Sequence, residues 1–170
     1  MNRYDLDIKL ACRFYQYPGS WEKILSILSS NGWVRADRGA VKDGLEVNFT
    51  AESLDGLEIL LSLKSKEGLP SPKVFRTLLE CLLTECWYVD VYFCLRNIDV
   101  GKVSKELGLS IKSNEVRRLK LEGSEIIFEA YPPMNKAVFS YRVGVGDIGR
   151  IEKMHIKLFG KISNSKVKGG

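Results

Sequence analysis

Apolar and polar residues alternate with a period of two in stretch after stretch of this chain. That period constrains the fold more than any other feature of the sequence. From Tyr4 to Tyr15, Leu6, Ile8, Leu10, Cys12 and Phe14 fall in one phase, and Asp5, Asp7, Lys9 and Arg13 in the other. Successive side chains of a strand point to opposite faces, so this segment reads as a strand with one face buried. Leu45 to Thr50 and Leu57 to Lys66 repeat the pattern and are joined through Asp55-Gly56. Leu45, Val47 and Phe49, then Leu57, Ile59, Leu61 and Leu63, form their core sides. Trp87 to Leu95, rich in aromatic and β-branched residues, reads as a central strand. Glu115 to Leu121 and Glu125 to Tyr131 flank Glu122-Gly123-Ser124 as a hairpin. Ala137 to Val143 follows the turn at Pro132-Pro133.

The period lengthens to that of a helix in four places. Ser20 caps a stripe of Trp21, Ile24, Leu25 and Leu28 that ends at Asn31-Gly32. Ser71-Pro72 opens a wider stripe of Phe75, Leu78, Leu79, Leu82, Leu83 and Cys86. Asp99 starts a short helix containing Val103 and Leu107, stopped by Gly108. A last helix from about Asp147 to Ile162 carries Ile148, Ile151, His155, Leu158 and Phe159 on one side. The order β-α-β-β-α-β-α-β-β-β-α predicts an α+β domain over residues 1–162. It has a largely antiparallel sheet of about seven strands, with about four helices packed mainly on one face. Residues 1–86 and 87–162 each begin with a strand, a helix and a hairpin, which suggests a pseudo-repeat within one continuous curved sheet. Residues 163–170 read as a flexible basic tail.

Composition narrows the function classes. The chain has 170 residues, 45% hydrophobic and 28% charged, enough to build a core. The formal charge of +5 permits an anionic partner without requiring one. Asp5, Asp7 and Lys9 interrupt the first dozen residues, so no export signal is expected, and no apolar run is long enough for a membrane span. The four cysteines contain no Cys-x-x-Cys pair, which fits reduced thiols in the cytoplasm. All four sit in apolar-periodic segments and are expected to be buried and inert.

Several short motifs touch on chemistry. Gly144-Val145-Gly146-Asp147-Ile148-Gly149 fits the spacing of a dinucleotide loop, but too little chain follows for a second parallel strand, and Asp147 would repel a phosphate. Residues 103–119 resemble a helix-turn-helix, with Val116 about two residues late for the second helix. A single histidine, His155, excludes a multi-histidine metal site or a triad, and its stripe makes it structural. Asp5 and Asp7 share a strand face without a third ligand. Asp90, among Tyr88, Val89, Val91 and Tyr92, fits a structural Tyr-Asp bond. No metal or cofactor is expected.

Loop residues of interface type are the remaining signal: Tyr15, Tyr17, Trp33, Arg35, Arg38, Tyr131 and Met134. With no catalytic motif, they point to a non-catalytic cytoplasmic binding protein with a protein partner. Its concrete form is an immunity-type protein that neutralises a cognate bacterial toxin domain by stoichiometric contact. The alternative is a nucleic-acid-binding regulator using residues 103–119 and a basic last helix, through Lys105, Arg117, Arg118, Lys153 and Lys157. A second alternative is an enzyme whose site is assembled from dispersed residues.

Overall fold

A computed structural model describes residues 4–16, 21–66 and 68–165. Among the described residues, nine strands form one antiparallel sheet: β1 (Asp5–Phe14), β2 (Val34–Ala36), β3 (Gly39–Lys42), β4 (Leu45–Glu52), β5 (Glu58–Ser65), β6 (Cys86–Arg96), β7 (Glu115–Leu121), β8 (Ser124–Tyr131) and β9 (Lys136–Gly144). Four α-helices intervene: α1 (Trp21–Ser29), α2 (Pro72–Leu83), α3 (Val100–Glu106) and α4 (Ile148–Asn164). The α+β class and antiparallel sheet agree with the sequence reading, but the count of about seven strands is two short.

The additional pair is the β2–β3 hairpin. Its strands have three and four residues, too few for a period of two to register. Asp43-Gly44, at φ 47° and 82°, forms the tight turn into β4, and Glu122-Gly123, at 49° and 80°, forms the equivalent turn between β7 and β8. Positive φ at both central residues matches the right-handed strand twist, and glycine adopts it without penalty. The hairpin is fastened to α1. Trp21 Nε1 donates to the Arg38 carbonyl at 3.2 Å, and Arg35 donates twice to the Glu22 carboxylate.

Strand order across the sheet is β2-β3-β4-β5-β1-β6-β9-β8-β7. The first strand of each half pairs with the last: β1 with β5, and β6 with β9. The halves then meet along a central β1–β6 seam running from Asp5↔Arg96 to Phe14↔Cys86. The halves share this return pairing but not their element order, because four strands follow α1 in the first and three follow α3 in the second.

The core lies on one side of the sheet. Leu10 and Cys12 of β1, Val89, Val91, Phe93 and Leu95 of β6, and Phe139 and Val143 of β9 are all buried there. Against them α2 lays Phe75, Leu78, Leu79, Leu82 and Leu83, and α4 lays Ile151, Met154, Leu158 and Ile162. Each such side chain contributes about 1.5–3 kcal/mol on burial. Ser71 Oγ accepts from the Val74 amide, with Pro72 inside the first turn of α2, as the sequence indicated. Helix α4 runs to Asn164 and Ser165 is buried, so ordered chain extends past the expected limit at 162; the rest of the expected tail, and the Ser20 cap, lie outside the described residues.

Candidate functional site

With every helix on one side, the opposite face of the sheet is left uncovered among the described residues. Its residues are the out-of-phase members of each strand, and register places them in transverse rows. One row runs Ala51, Leu60, Ala11, Asp90, Arg142 across β4, β5, β1, β6 and β9. The next runs Asn48, Ser62, Lys9, Tyr92, Ser140, Ile127, Arg118. A third includes Asp7, Cys94, Val138, Glu129 and Val116.

Where these rows pass over β5, β1 and β6 lies a hollow of about 490 Å³. Ala11 forms part of its floor, because its methyl group is short beside the flanking Leu60 and Asp90. Leu60, Tyr92, Cys94 and Val138 line its walls, and Asp7, Lys9, Glu58 and Arg96 ring it with charge. Leu60, Tyr92 and Ile127 are 38%, 42% and 40% exposed, large apolar groups with no intramolecular cover.

A second hollow of about 260 Å³ adjoins Tyr92 and is lined by Asp90, Ile127, Ser140 and Arg142. Here Arg142 is held rigidly. Its Nε and Nη2 donate to Asp90 at 2.8 and 3.1 Å, and its guanidinium carbon sits 3.7 Å from the Tyr88 ring centroid. A bidentate pair on an exposed surface adds little stability, but it fixes the fork in space. Burial, together with the Asp90 carboxylate, raises the Tyr92 pKa above its ordinary value, so its hydroxyl stays a neutral donor. Arg96 pairs with Asp7 at the far rim, and Lys136 lies 5.5 Å from the Tyr131 ring centroid in the adjacent row.

The residues singled out from the sequence are not brought together. Tyr15 is exposed and packs on Trp87 at 4.6 Å between centroids, beside a hollow of about 260 Å³ lined by Phe14, Gln16, Lys23, Ile27 and Glu85. Tyr17 lies outside the described residues. Trp33 is buried in the core and presents no ring to a partner. Arg35 and Arg38 belong to the β2–β3 hairpin, where Arg35 binds the protein's own Glu22. Tyr131 and Met134 lie at the β8–β9 turn, six strand spacings from β2, roughly 29 Å away. Tyr131 stands on the uncovered face in the row beyond Glu129, where its hydroxyl donates to Glu129 at 2.7 Å.

The helix-turn-helix reading of 103–119 is overturned. Helix α3 ends at Glu106, and the place of a recognition helix is taken by strand β7. Arg117 and Arg118 therefore point to opposite faces, and Arg118, Arg117 and Lys157 pair with Glu125, Glu115 and Glu122. Lys105 and Lys153 are exposed on separate helices. In the glycine-rich loop, the Gly144 amide donates to Asp147 Oδ2 at 2.7 Å, so the carboxylate occupies the position a phosphate would need. Asp90 takes Arg142 as its partner instead of a tyrosine. Cys12, Cys81 and Cys86 are buried as expected, but Cys94 is half-buried on the uncovered face.

Leu60, Ala11, Ile127, Val138 and Arg142 were missed. The signal was available: each apolar member stands in the polar phase of its strand, where a solvated face needs none. Among the described residues, no three His, Cys, Asp or Glu side chains lie together as metal ligands, and no helix is long and apolar enough to cross a membrane.

No known family profile matches the chain, and no curated protein matches it significantly. Among solved structures, the chain is similar to the regulatory subunit of aspartate kinase from Thermus flavus. The likeness covers 94% of this chain and 95% of that one, at 8% identity and a TM-score of 0.28, too slight to carry an argument.

Proposed function

We propose that this is a non-catalytic cytoplasmic binding protein that contacts a protein partner through the uncovered sheet face. In its concrete form it is an immunity-type protein that covers the active site of a cognate bacterial toxin domain. The observation that carries the reading is the hollow of about 490 Å³, floored by Ala11 and walled by Leu60, Tyr92 and Val138 on an otherwise charged sheet. Apolar groups left in the solvent phase of adjoining strands mark surface meant to be covered. Nine strands span roughly 38 Å. A patch about 28 Å square on such a face supplies the ~800 Å² that each partner buries in a stable complex. Leu60 and Tyr92 would anchor the centre, the fixed Arg142 fork would donate to a carboxylate or carbonyl, and the charged rim would steer approach.

The test is calorimetric titration of the purified chain against any toxin domain that a neighbouring gene encodes. A one-to-one complex is expected, with Leu60→Asp and Tyr92→Ala each weakening it at least tenfold while the circular dichroism spectrum is unchanged. A complex indifferent to both substitutions, or no complex, would refute the reading.

A further inference from the structure

The sheet has two outer edges among the described residues, and they differ. At one edge β2 offers three residues. At the other, β7 offers seven, all paired in unbroken register with β8. A register shift of the kind that twists an edge away occurs in the β1–β6 and β4–β5 pairs, but not here. No proline or glycine interrupts β7. Its outward row of amide and carbonyl groups is therefore a template for one more strand. Val116 on this edge is 63% exposed, an apolar side chain that an edge designed only to repel would not keep.

Charge selects the occupant. Arg117, Arg118 and Lys120 stand against the single Glu115, and Lys112 precedes the strand. In full overlap of the two β7 strands, a second copy of the chain is disfavoured. Antiparallel pairing about Arg118 sets Arg118 opposite itself and Val116 opposite Lys120, with no carboxylate facing any of the cations. The exposed pairs of Arg118 with Glu125 and Arg117 with Glu115 are weak and exchange readily for a better partner. A strand with carboxylates facing Arg118 and Lys120 and an apolar residue facing Val116 satisfies all three positions.

We infer that β7 is a docking edge for an extended acidic segment of another protein, which adds to the sheet as a tenth strand. A nucleic acid would satisfy the charges but could not use the row of backbone groups. The edge lies apart from the central hollow, so the inference does not depend on the function proposed above.

The probe is a fluorescent eight-residue peptide in which Glu alternates with Val, titrated into the full chain at low salt. It is expected to bind and to slow amide exchange over residues 115–121. The same peptide N-methylated at alternate residues keeps its charge but loses its ladder, and should bind at least tenfold more weakly. Replacing Arg118 and Lys120 together by Ser should weaken binding about tenfold, whereas Leu60→Asp should leave it unchanged. Equal binding of the N-methylated peptide, tighter binding of an oligouridine of equal charge, absence of protection in β7, or absence of binding would each overturn the inference.

Discussion

The only histidine should make the stability of this protein fall steeply between pH 7 and pH 5. His155 lies at 0% exposure in the core, stacked between Phe75 at 4.7 Å and Phe159 at 5.1 Å, with the Tyr141 hydroxyl against Nε2 and no partner at Nδ1. No carboxylate contacts it, and burial lowers its pKa from 6.5 to about 3. Below pH 6.5 the unfolded chain takes up a proton that the folded chain refuses, so stability present above that pH drains away as pH falls toward 3. Each pH unit in this window costs about 1.4 kcal/mol, which gives about 2 kcal/mol lost by pH 5. Half the stability of a marginal domain can be only a few kcal/mol, so the effect is readily measured. Urea titrations at pH 7.5, 6.0 and 5.0 read it directly. Replacing both members of the pair, Tyr141→Phe with His155→Phe, preserves ring stacking and leaves neither polar group orphaned. That double variant should lose the slope. A flat wild-type profile from pH 7 to 5, or a variant that keeps the slope, would refute the reasoning.

Two further outcomes follow from packing. Phe75→Ala empties the space between α2, Phe93 at 5.8 Å and the His155 ring, and should cost about 3–5 kcal/mol in urea unfolding. In Gly39→Ala, the new Cβ would fall 1.7 Å from the Val47 carbonyl oxygen. The β2–β3 hairpin must then shift off β4, at a cost of about 1–3 kcal/mol, seen as a lowered Tm and lost amide protection at residues 34–42.

Half-buried strands and capped helices were legible because they repeat a period over many residues. β1, β6 and α2 are the clearest cases, with Ser71-Pro72 marking the start of α2 as well. The β2–β3 hairpin was not legible: Val34, Arg35 and Ala36 looked like a loop bearing interface residues, and only their pairing with β3 and the Trp21 contact reveal a strand. Residues 103–119 misled for a different reason. A capped helix ending in glycine precedes a strand as readily as a second helix, and Val116 fits either. The uncovered face was half legible. Its apolar members stand out of phase in the sequence, but which of them adjoin depends on strand order, and the meeting of β1 with β6 is a pairing across some eighty residues that no local pattern encodes.

The seam between β1 and β6 also sets a timetable for synthesis. β6 follows α2 after a short turn and can pair with β1, already made, as soon as it emerges. Its other edge has no partner until β9. Arg96 ends β6 and Lys136 begins β9, forty residues later. At about 5–20 residues per second, that edge waits roughly 2–8 s on the ribosome. During this interval the longest strand of the sheet, carrying Val89, Val91, Phe93 and Leu95, is open to pairing with a neighbouring nascent chain. Slow translation between residues 97 and 135 is therefore the condition under which this protein is most exposed to aggregation.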